Sequence, residues 1–228
     1  MLSLLLAAPV CSSVTACSAA SHAALRAGNL ARAEKTALIG LRLAECAPDG
    51  PESDAVEVMA RVALRRGEPL MARAWLGGQP DDLALKATVD AAVARMPADG
   101  GHAGRYSQDQ EAGLWNHVWV TAAAADHIHF RLEGLRVSRG RCQEPERLTD
   151  GDLSTSVPGV ASLEGDAARQ GEVFAYESRE FVVNDDDRPC RLTFRFTPPG
   201  LTLDQDTRGE DCGFGYGVNV AGDYVRTR

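Results

Sequence analysis

His127 and His129 are separated by a single residue, a spacing that can bring two imidazoles together for metal binding. They lie in a segment of alternating polar and apolar residues, so on a β-strand both imidazoles lie on the same face. Imidazole nitrogens on one face can bind a transition metal, and Asp126 offers an adjacent carboxylate. The spacing fits a metal-dependent enzyme that uses His127 and His129, but it fits an exposed pair better. We therefore predict no bound metal and no cofactor.

Four aromatic side chains are candidates for contact with a partner. Trp115 and Trp119 share one face of a segment in which they alternate, together with His117, with Asn116 and Val118. Phe214 and Tyr216 alternate with glycine near the C-terminal end. Large aromatic side chains often anchor protein interfaces. We predict Trp115, Trp119, Phe214 and Tyr216 as binding residues, and burial in the core is the alternative for each of them.

The sequence contains none of the short motifs that mark common enzyme classes. There is no G-x-S-x-G nucleophile motif and no C-x-x-C pair. The alternating glycines Gly213, Gly215 and Gly217 are not followed by Lys-Ser or Lys-Thr, so they do not form a phosphate-binding loop. We therefore predict no catalytic residues, and a function in binding rather than in catalysis.

Charge is distributed unevenly along the chain. Residues 1–100 contain 10 basic and 11 acidic side chains, whereas residues 101–228 contain 14 and 21, a net charge of −7. Affinity for nucleic acids comes largely from basic side chains, so we predict no nucleic-acid partner. An acidic second half can attract a basic protein partner, and it also keeps a protein soluble without any partner.

The N-terminal residues have features of an export signal. Residues 2–10 form an apolar run that is too short to cross a membrane but suits the apolar region of a signal peptide. The sequence V-T-A-C that ends at Cys17 resembles the lipobox of bacterial lipoproteins, in which this cysteine becomes the lipidated first residue. We predict a leader over residues 1–16 and a mature protein in the periplasm or on the outer membrane of a Gram-negative bacterium, with possible membrane attachment through a lipid at Cys17.

Two alternatives to this leader stay open. Signal peptidase can also cleave after Ala23, within the sequence S-H-A. The same residues can instead form a buried N-terminal helix of a cytoplasmic protein.

The cysteines favour export without deciding it. Six cysteines in 228 residues fit an oxidising compartment. Cys190 and Cys212 flank a hairpin-like stretch, so we prefer them as a disulfide, with Cys142 as a competing partner for either. The alternative is a set of small buried thiols.

Residues 17–97 carry apolar side chains at helical spacing. Gly28 ends one predicted helix and Asn29 caps the next, while Gly67 and Pro69 mark a second turn of the same kind. The sequence A-L-R-A-G at the first turn is matched by A-L-R-R-G at the second. This pattern resembles tetratricopeptide hairpins, which implies a repeat-like stack with a concave surface for a partner. A plain helical spacer is the alternative.

The periodicity changes after a linker predicted over residues 98–113, which begins at P-A-D-G-G. Residues 114–228 alternate with period two, most clearly at 115–119, 127–132 and 191–196, and we expect a final hairpin at 218–226. About eight short strands predict an antiparallel barrel or sandwich. The predicted fold class is therefore α+β, with helical hairpins followed by this β domain.

The C-terminal residues C-G-F-G-Y-G-V, followed by G-D-Y-V-R, resemble the ending CGxGxxV…GxYxR of small secreted bacterial β domains. Some of these domains are similar to lysozyme inhibitors. The resemblance covers roughly the last 70 residues, and it implies a small secreted β fold more than any one activity.

We expect an exported, non-enzymatic binding module of the bacterial cell envelope that engages a protein or an envelope polymer. One alternative is an inhibitor of a lysozyme-like hydrolase, in which the acidic β domain meets a basic enzyme. The other alternative is the metal-dependent enzyme that uses His127 and His129.

Overall fold

A computed structural model of the chain describes residues 11–45, 52–77, 82–96, 101–111, 114–135, 160–180, 188–197, 200–206, 212–214 and 218–228. In these residues five α-helices are followed by eight antiparallel strands that close into a barrel. The α+β class is therefore confirmed, and the β domain is a barrel rather than a sandwich.

Local sequence explains where several helices begin. Asp82 accepts hydrogen bonds from the backbone N–H groups of Ala84 and Leu85, both at 2.9 Å, and so caps the last helix. Pro69 is the first residue of the fourth helix, where its missing N–H costs nothing.

No helix in the ranges described above is long and apolar enough to cross a membrane. The helices are α1 (Val14–Arg26), α2 (Leu30–Glu45), α3 (Glu52–Arg65), α4 (Pro69–Leu76) and α5 (Leu83–Ala94).

Two helix–helix turns have the same backbone geometry. Gly28 and Gly67 both have φ of +76°, a conformation that only glycine adopts without strain. In the first turn the N–H of Asn29 donates to the carbonyl of Ala24, and in the second the N–H of Glu68 donates to that of Ala63, each at 2.9 Å. These are the bonds expected of a glycine C-cap, so the matching sequence motifs do form matching turns.

The two hairpins pack through small side chains and two arginines. Ala33, Ala60 and Ala72 are fully buried, which allows the helix backbones to approach closely. Arg65 of α3 donates a hydrogen bond to the carbonyl of Leu25 in α1. Arg66 donates to the carboxylate of Glu34 in α2 at 3.0 Å. The second hairpin is thus held directly against the first.

The barrel is an up-and-down meander in which each strand pairs with the next and the last pairs with the first. Closure comes from β1 and β8, where Tyr106 lies opposite Arg226 and Ser107 lies opposite Val225. The strands are β1 (Gly104–Glu111), β2 (Leu114–Ala123), β3 (His127–Leu135), β4 (Val160–Gln170), β5 (Val173–Ser178), β6 (Cys190–Thr197), β7 (Gly200–Gln205) and β8 (Gly222–Arg226).

Two predicted segments differ from the structure. Half of the predicted linker, residues 98–113, is strand β1. Its sequence looks like a linker because most of its side chains are polar, while Tyr106 faces the core. The predicted final hairpin is only the single strand β8, because β8 finds its partners in β7 and β1 rather than in residues 218–220.

The first of the alternating glycines lies in a turn. Gly213 has φ of +71°, which a strand does not permit, and Cys212–Phe214 forms a turn that brings Phe214 into the barrel core. The backbone freedom of glycine allows this turn at position 213.

The preferred disulfide lies at the edge of the barrel core. Cys190, the first residue of β6, is joined to Cys212 with a sulfur–sulfur distance of 2.07 Å, and both residues are buried. The competing partner Cys142 lies outside the described residues. The bond holds the segment around Cys212 against the start of β6.

Strand β2 connects the barrel to the helices. Val118 and Val120 point into the barrel, whereas Trp115 points out of it and is buried in the core of the helical segment. Its ring meets that of Trp75 in α4 edge to face, with the ring centres 5.0 Å apart. The two parts of the chain therefore share a core residue.

This junction gives the first prediction. Trp115→Ala should lower the free energy of unfolding by about 3–5 kcal/mol, because it leaves a cavity between barrel and helices. Trp115→Phe should cost less than half of that, because it keeps a ring and removes an indole N–H that has no hydrogen-bond partner among the described residues. Urea unfolding followed by circular dichroism measures both changes. The half-exposed Trp119→Ala is the control, and equal losses at Trp115 and Trp119 would contradict the junction.

Candidate functional site

The barrel interior is filled with side chains. Phe130 packs against Phe194 and Tyr176, with ring centres 4.6 Å and 5.2 Å away. The ring of His102 stacks on that of Phe196, with the ring centres 4.3 Å apart. An eight-stranded barrel is narrow enough for side chains to fill, and the described residues of this barrel fill it in this way.

The outside of three neighbouring strands carries the densest set of chemically active side chains. Strand geometry sends alternate residues outward, so the histidines and Trp119 lie on the surface opposite to the core valines and phenylalanines. We call this surface the outer wall; it consists of His117 and Trp119 on β2, His129, Arg131 and Glu133 on β3, and Glu164 and Asp166 on β4.

At one edge of the outer wall, His117 takes part in a chain of hydrogen bonds. Its Nδ1 lies 2.8 Å from the hydroxyl of Ser107, which lies 2.8 Å from the hydroxyl of Thr227. Arg105 donates to that last hydroxyl at 3.0 Å. Ser107 is fully buried, so it has no access to a substrate, and the chain of bonds instead ties the C-terminal residues to β1 and β2.

Burial lowers the pKa of His117 to about 4, and the nearby charge of Arg105 acts in the same direction. His117 is therefore neutral at physiological pH. A neutral imidazole nitrogen can accept a hydrogen bond from the Ser107 hydroxyl, which fits the distance of 2.8 Å between the two atoms.

At the centre of the outer wall, Arg131 covers Trp119. The guanidinium carbon lies 5.6 Å from the ring centre, within the range of a cation–π interaction. The same guanidinium donates to the carboxylate of Glu133. Trp119 is half-buried, and the guanidinium of Arg131 packs over its ring. The exposed part of the ring is an aromatic surface that a partner can contact.

On β3 and β4, His129 lies between two carboxylates. Its Nδ1 is 2.9 Å from Asp166 and its Nε2 is 3.1 Å from Glu164. Hydrogen bonds to Asp166 and then to Glu164 raise the pKa of His129 above its usual value. The two carboxylates are themselves well exposed, at 63% for the Glu164 side chain and 71% for Asp166.

The two histidines of the metal hypothesis have separate partners. Nδ1 of His127 lies 2.8 Å from Asp126, and the hydrogen bond lowers the pKa of that carboxyl group. His129 is engaged by Asp166 and Glu164 instead. The described part of the chain contains no group of three His, Cys, Asp or Glu side chains placed to bind a metal ion. The metal-dependent enzyme stays a prediction from the sequence.

The four predicted contact residues separate into different environments. Trp115 and Phe214 are buried in the two cores, at 7% and 4% exposure. Trp119 lies on the outer wall, and Tyr216 lies outside the described residues. The sequence analysis did not predict Arg131, Glu133, Glu164 or Asp166. Arg131 and Glu133 could have been found, because the alternation that places His129 on the outer face of β3 places these two residues there as well.

A cleft lies in the helical segment. It lies between α3 and α5 and encloses about 240 Å³, with Leu64, Arg65 and Leu85 among its lining residues. Arg61 at its edge is already paired with Glu57 and Asp82, at 2.7 Å and 2.9 Å. The charge of Arg61 is thus already balanced by carboxylates, so this cleft is a weaker candidate for a functional site than the outer wall.

No family model matches the chain, and comparisons with curated proteins and with solved structures found no match. The fold and the outer wall define a class only: a helical segment joined to a closed, filled, eight-stranded antiparallel barrel. The resemblances to tetratricopeptide hairpins and to lysozyme-inhibitor-like domains stay predictions from the sequence.

The environment of His117 gives the second prediction. Unfolding restores the usual pKa of about 6.5, so the unfolded chain binds a proton that the folded state refuses until about pH 4. The folded state is therefore fully stabilised above about pH 6.5 and loses this contribution as the pH falls toward 4. When the pH falls from about 7 to about 4.5, the free energy of unfolding of His117→Gln should therefore fall by about 2 kcal/mol less than that of the parent protein.

Urea unfolding at the two pH values measures this difference. His129→Gln is the control: the raised pKa of His129 contributes stability that is complete below the usual value and is lost as pH rises through the raised one, so this variant should lose no less stability than the parent on acidification, the opposite of His117→Gln. Identical acid sensitivity of the parent and His117→Gln would show that His117 is protonated in the fold.

Proposed function

We propose that the chain is an exported, non-enzymatic binding module that engages a basic protein through the outer wall. One observation carries this proposal: the barrel core is packed, while the outer wall displays a braced tryptophan among exposed carboxylates. Side chains occupy the interior of the barrel among the described residues, and an aromatic side chain ringed by polar groups is a common form of protein contact surface.

The charge of the outer wall favours a basic protein over an acidic polymer. Glu133, Glu164 and Asp166 contribute three carboxylates, against the guanidinium of Arg131 and the imidazole of His129, which is a cation only when protonated. Residues 101–228 as a whole have a net charge of −7. Such a surface attracts positive charge and repels phosphate or carboxylate groups of an envelope polymer, so we prefer the protein partner.

The helical segment serves in this proposal as a support, and its two hairpins are repeat-like. The shared turn geometry at Gly28 and Gly67 favours this interpretation, and so does the contact of Arg65 with Leu25. Through Trp115 the segment braces β2, the strand that also carries Trp119. The cleft between α3 and α5 is a secondary candidate surface.

Export is part of the proposal and rests on the leader-like N-terminal sequence together with the cysteines. A disulfide between Cys190 and Cys212 persists in oxidising compartments and is rare in the cytosol. We place the protein in the periplasm or at the outer membrane of a Gram-negative bacterium.

Site-specific photocrosslinking in cells tests the outer wall, and this is the third prediction. A benzophenone amino acid at position 119 should give a discrete adduct with a basic protein, because the side chain then faces the partner. Glu164→Gln combined with Asp166→Asn should reduce that adduct about tenfold, since two attractive charges are lost.

Matched controls come from the other side of the barrel. The photoreactive residue at Asp204 on β7 should give no such adduct, and Asp204→Asn combined with Asp223→Asn should leave the adduct at position 119 unchanged. Equal adducts at positions 119 and 204, or a tenfold loss with either charge pair, would contradict the proposed surface.

An inhibitor of a lysozyme-like hydrolase is the second candidate, because the acidic outer wall suits a basic enzyme. A lysozyme turnover assay tests it: saturating protein should slow hydrolysis of the cell-wall substrate, and Trp119→Ala should relieve the inhibition. Unchanged hydrolysis at saturating protein would eliminate the inhibitor and leave binding to another basic partner.

A further inference from the structure

Helix α1 overlaps the segment that the sequence marks as a leader, and its contacts bear on how the chain is processed. It begins at Val14, and four of its residues are buried in the helical segment: Cys17, Ser21, Ala24 and Leu25. Terminal segments of a folded protein are poorly ordered unless such contacts tie them down. The helix is therefore built as part of the fold.

Cys17 lies where α1 crosses α2. It is fully buried, and it faces Gly40, a glycine in the interior of α2. A Cβ atom on Gly40 would lie 3.1 Å from the Cβ of Cys17, closer than ordinary packing allows. The missing side chain at position 40 thus makes room for Cys17.

The sulfur of Cys17 is already used. It is joined to Cys11 in a disulfide, with the two Cα atoms 5.1 Å apart. A lipoprotein would instead carry a diacylglycerol thioether on this sulfur, and its two acyl chains would have to leave a site that has no exposed surface. Lipidation at Cys17 and the packing of Cys17 on Gly40 exclude each other.

The remaining contacts of α1 extend on both sides of the predicted cleavage points. Ser13 caps the helix by accepting a hydrogen bond from the N–H of Ala16 at 3.2 Å, and cleavage before Cys17 would remove that cap. Ser18 donates to Asp54 of α3 at 2.9 Å, and cleavage after Ala23 would remove that bond together with two buried residues.

We infer that α1 is retained in the mature protein, so that Cys17 is a buried disulfide partner of Cys11 and not a lipid anchor. Any leader then ends before Cys11, and the exported protein is released instead of being attached through this cysteine. The disulfide part of the inference rests on the proposed export, whereas the packing of α1 does not.

Mass spectrometry of the protein isolated without reductant from a Gram-negative host tests the processing. The expected result is a mature chain that contains residue 11, with a peptide pair linked through Cys11 and Cys17. A mature chain that starts at an acylated Cys17, or one that starts at Ala24, would overturn the inference.

A second measurement decides the packing of α1 whether or not the chain is exported. In the same isolated protein, Gly40→Val should lower Tm by about 4 °C or more, because the new side chain collides with Cys17. Ala31→Val places the same side chain on an exposed position of α2 and should change Tm much less. If α1 is absent from the mature fold, position 40 is open and the two variants behave alike, which would overturn the inference.

The two proposals can fail separately. An uncleaved chain with reduced cysteines in the cytoplasm would contradict the proposed export, and the comparison of Gly40→Val with Ala31→Val would still decide whether α1 packs on α2.

Discussion

The alternation of side chains from Trp115 to Val120 on strand β2 is the constraint on which the rest of the structure depends. Val118 and Val120 enter the barrel core, while two residues four positions apart on the other face pack in different places. Trp115 fills the helical core against Trp75, and Trp119 reaches the outer wall under Arg131. A shift of one residue in the register of β2 would reverse all of these positions at once.

The two sides of the barrel wall differ in character. Aromatic side chains such as Phe130, Phe194 and Tyr224 occupy the described part of the interior, where their burial stabilises the fold. The outer wall carries the exposed charges, and its imidazoles have opposite electrostatic environments: burial lowers the pKa of His117, while carboxylates raise that of His129. The same sheet thus combines a rigid core with a polar, charged surface.

Much of the fold could be predicted because its signals are local. The helical spacing of residues 17–97, the glycine turns at Gly28 and Gly67, and the alternation of β6 each depend on near neighbours in the sequence. Strand β1 could not be recognised in the same way, since most of its side chains are polar and its closing pairs with β8 join residues more than 100 positions apart. The same holds for the outer wall, where Glu164 and Asp166 meet His129 only through the register of β3 and β4.

A double-mutant cycle between Trp75 and Trp115 tests most directly whether one strand serves both cores. Each tryptophan is replaced by leucine alone and then together, and the free energy of unfolding is measured for all four proteins. Rings in edge-to-face contact predict a coupling energy of about 1 kcal/mol. Additive effects within about 0.3 kcal/mol would mean that the two side chains do not meet, and would contradict a shared junction between helices and barrel.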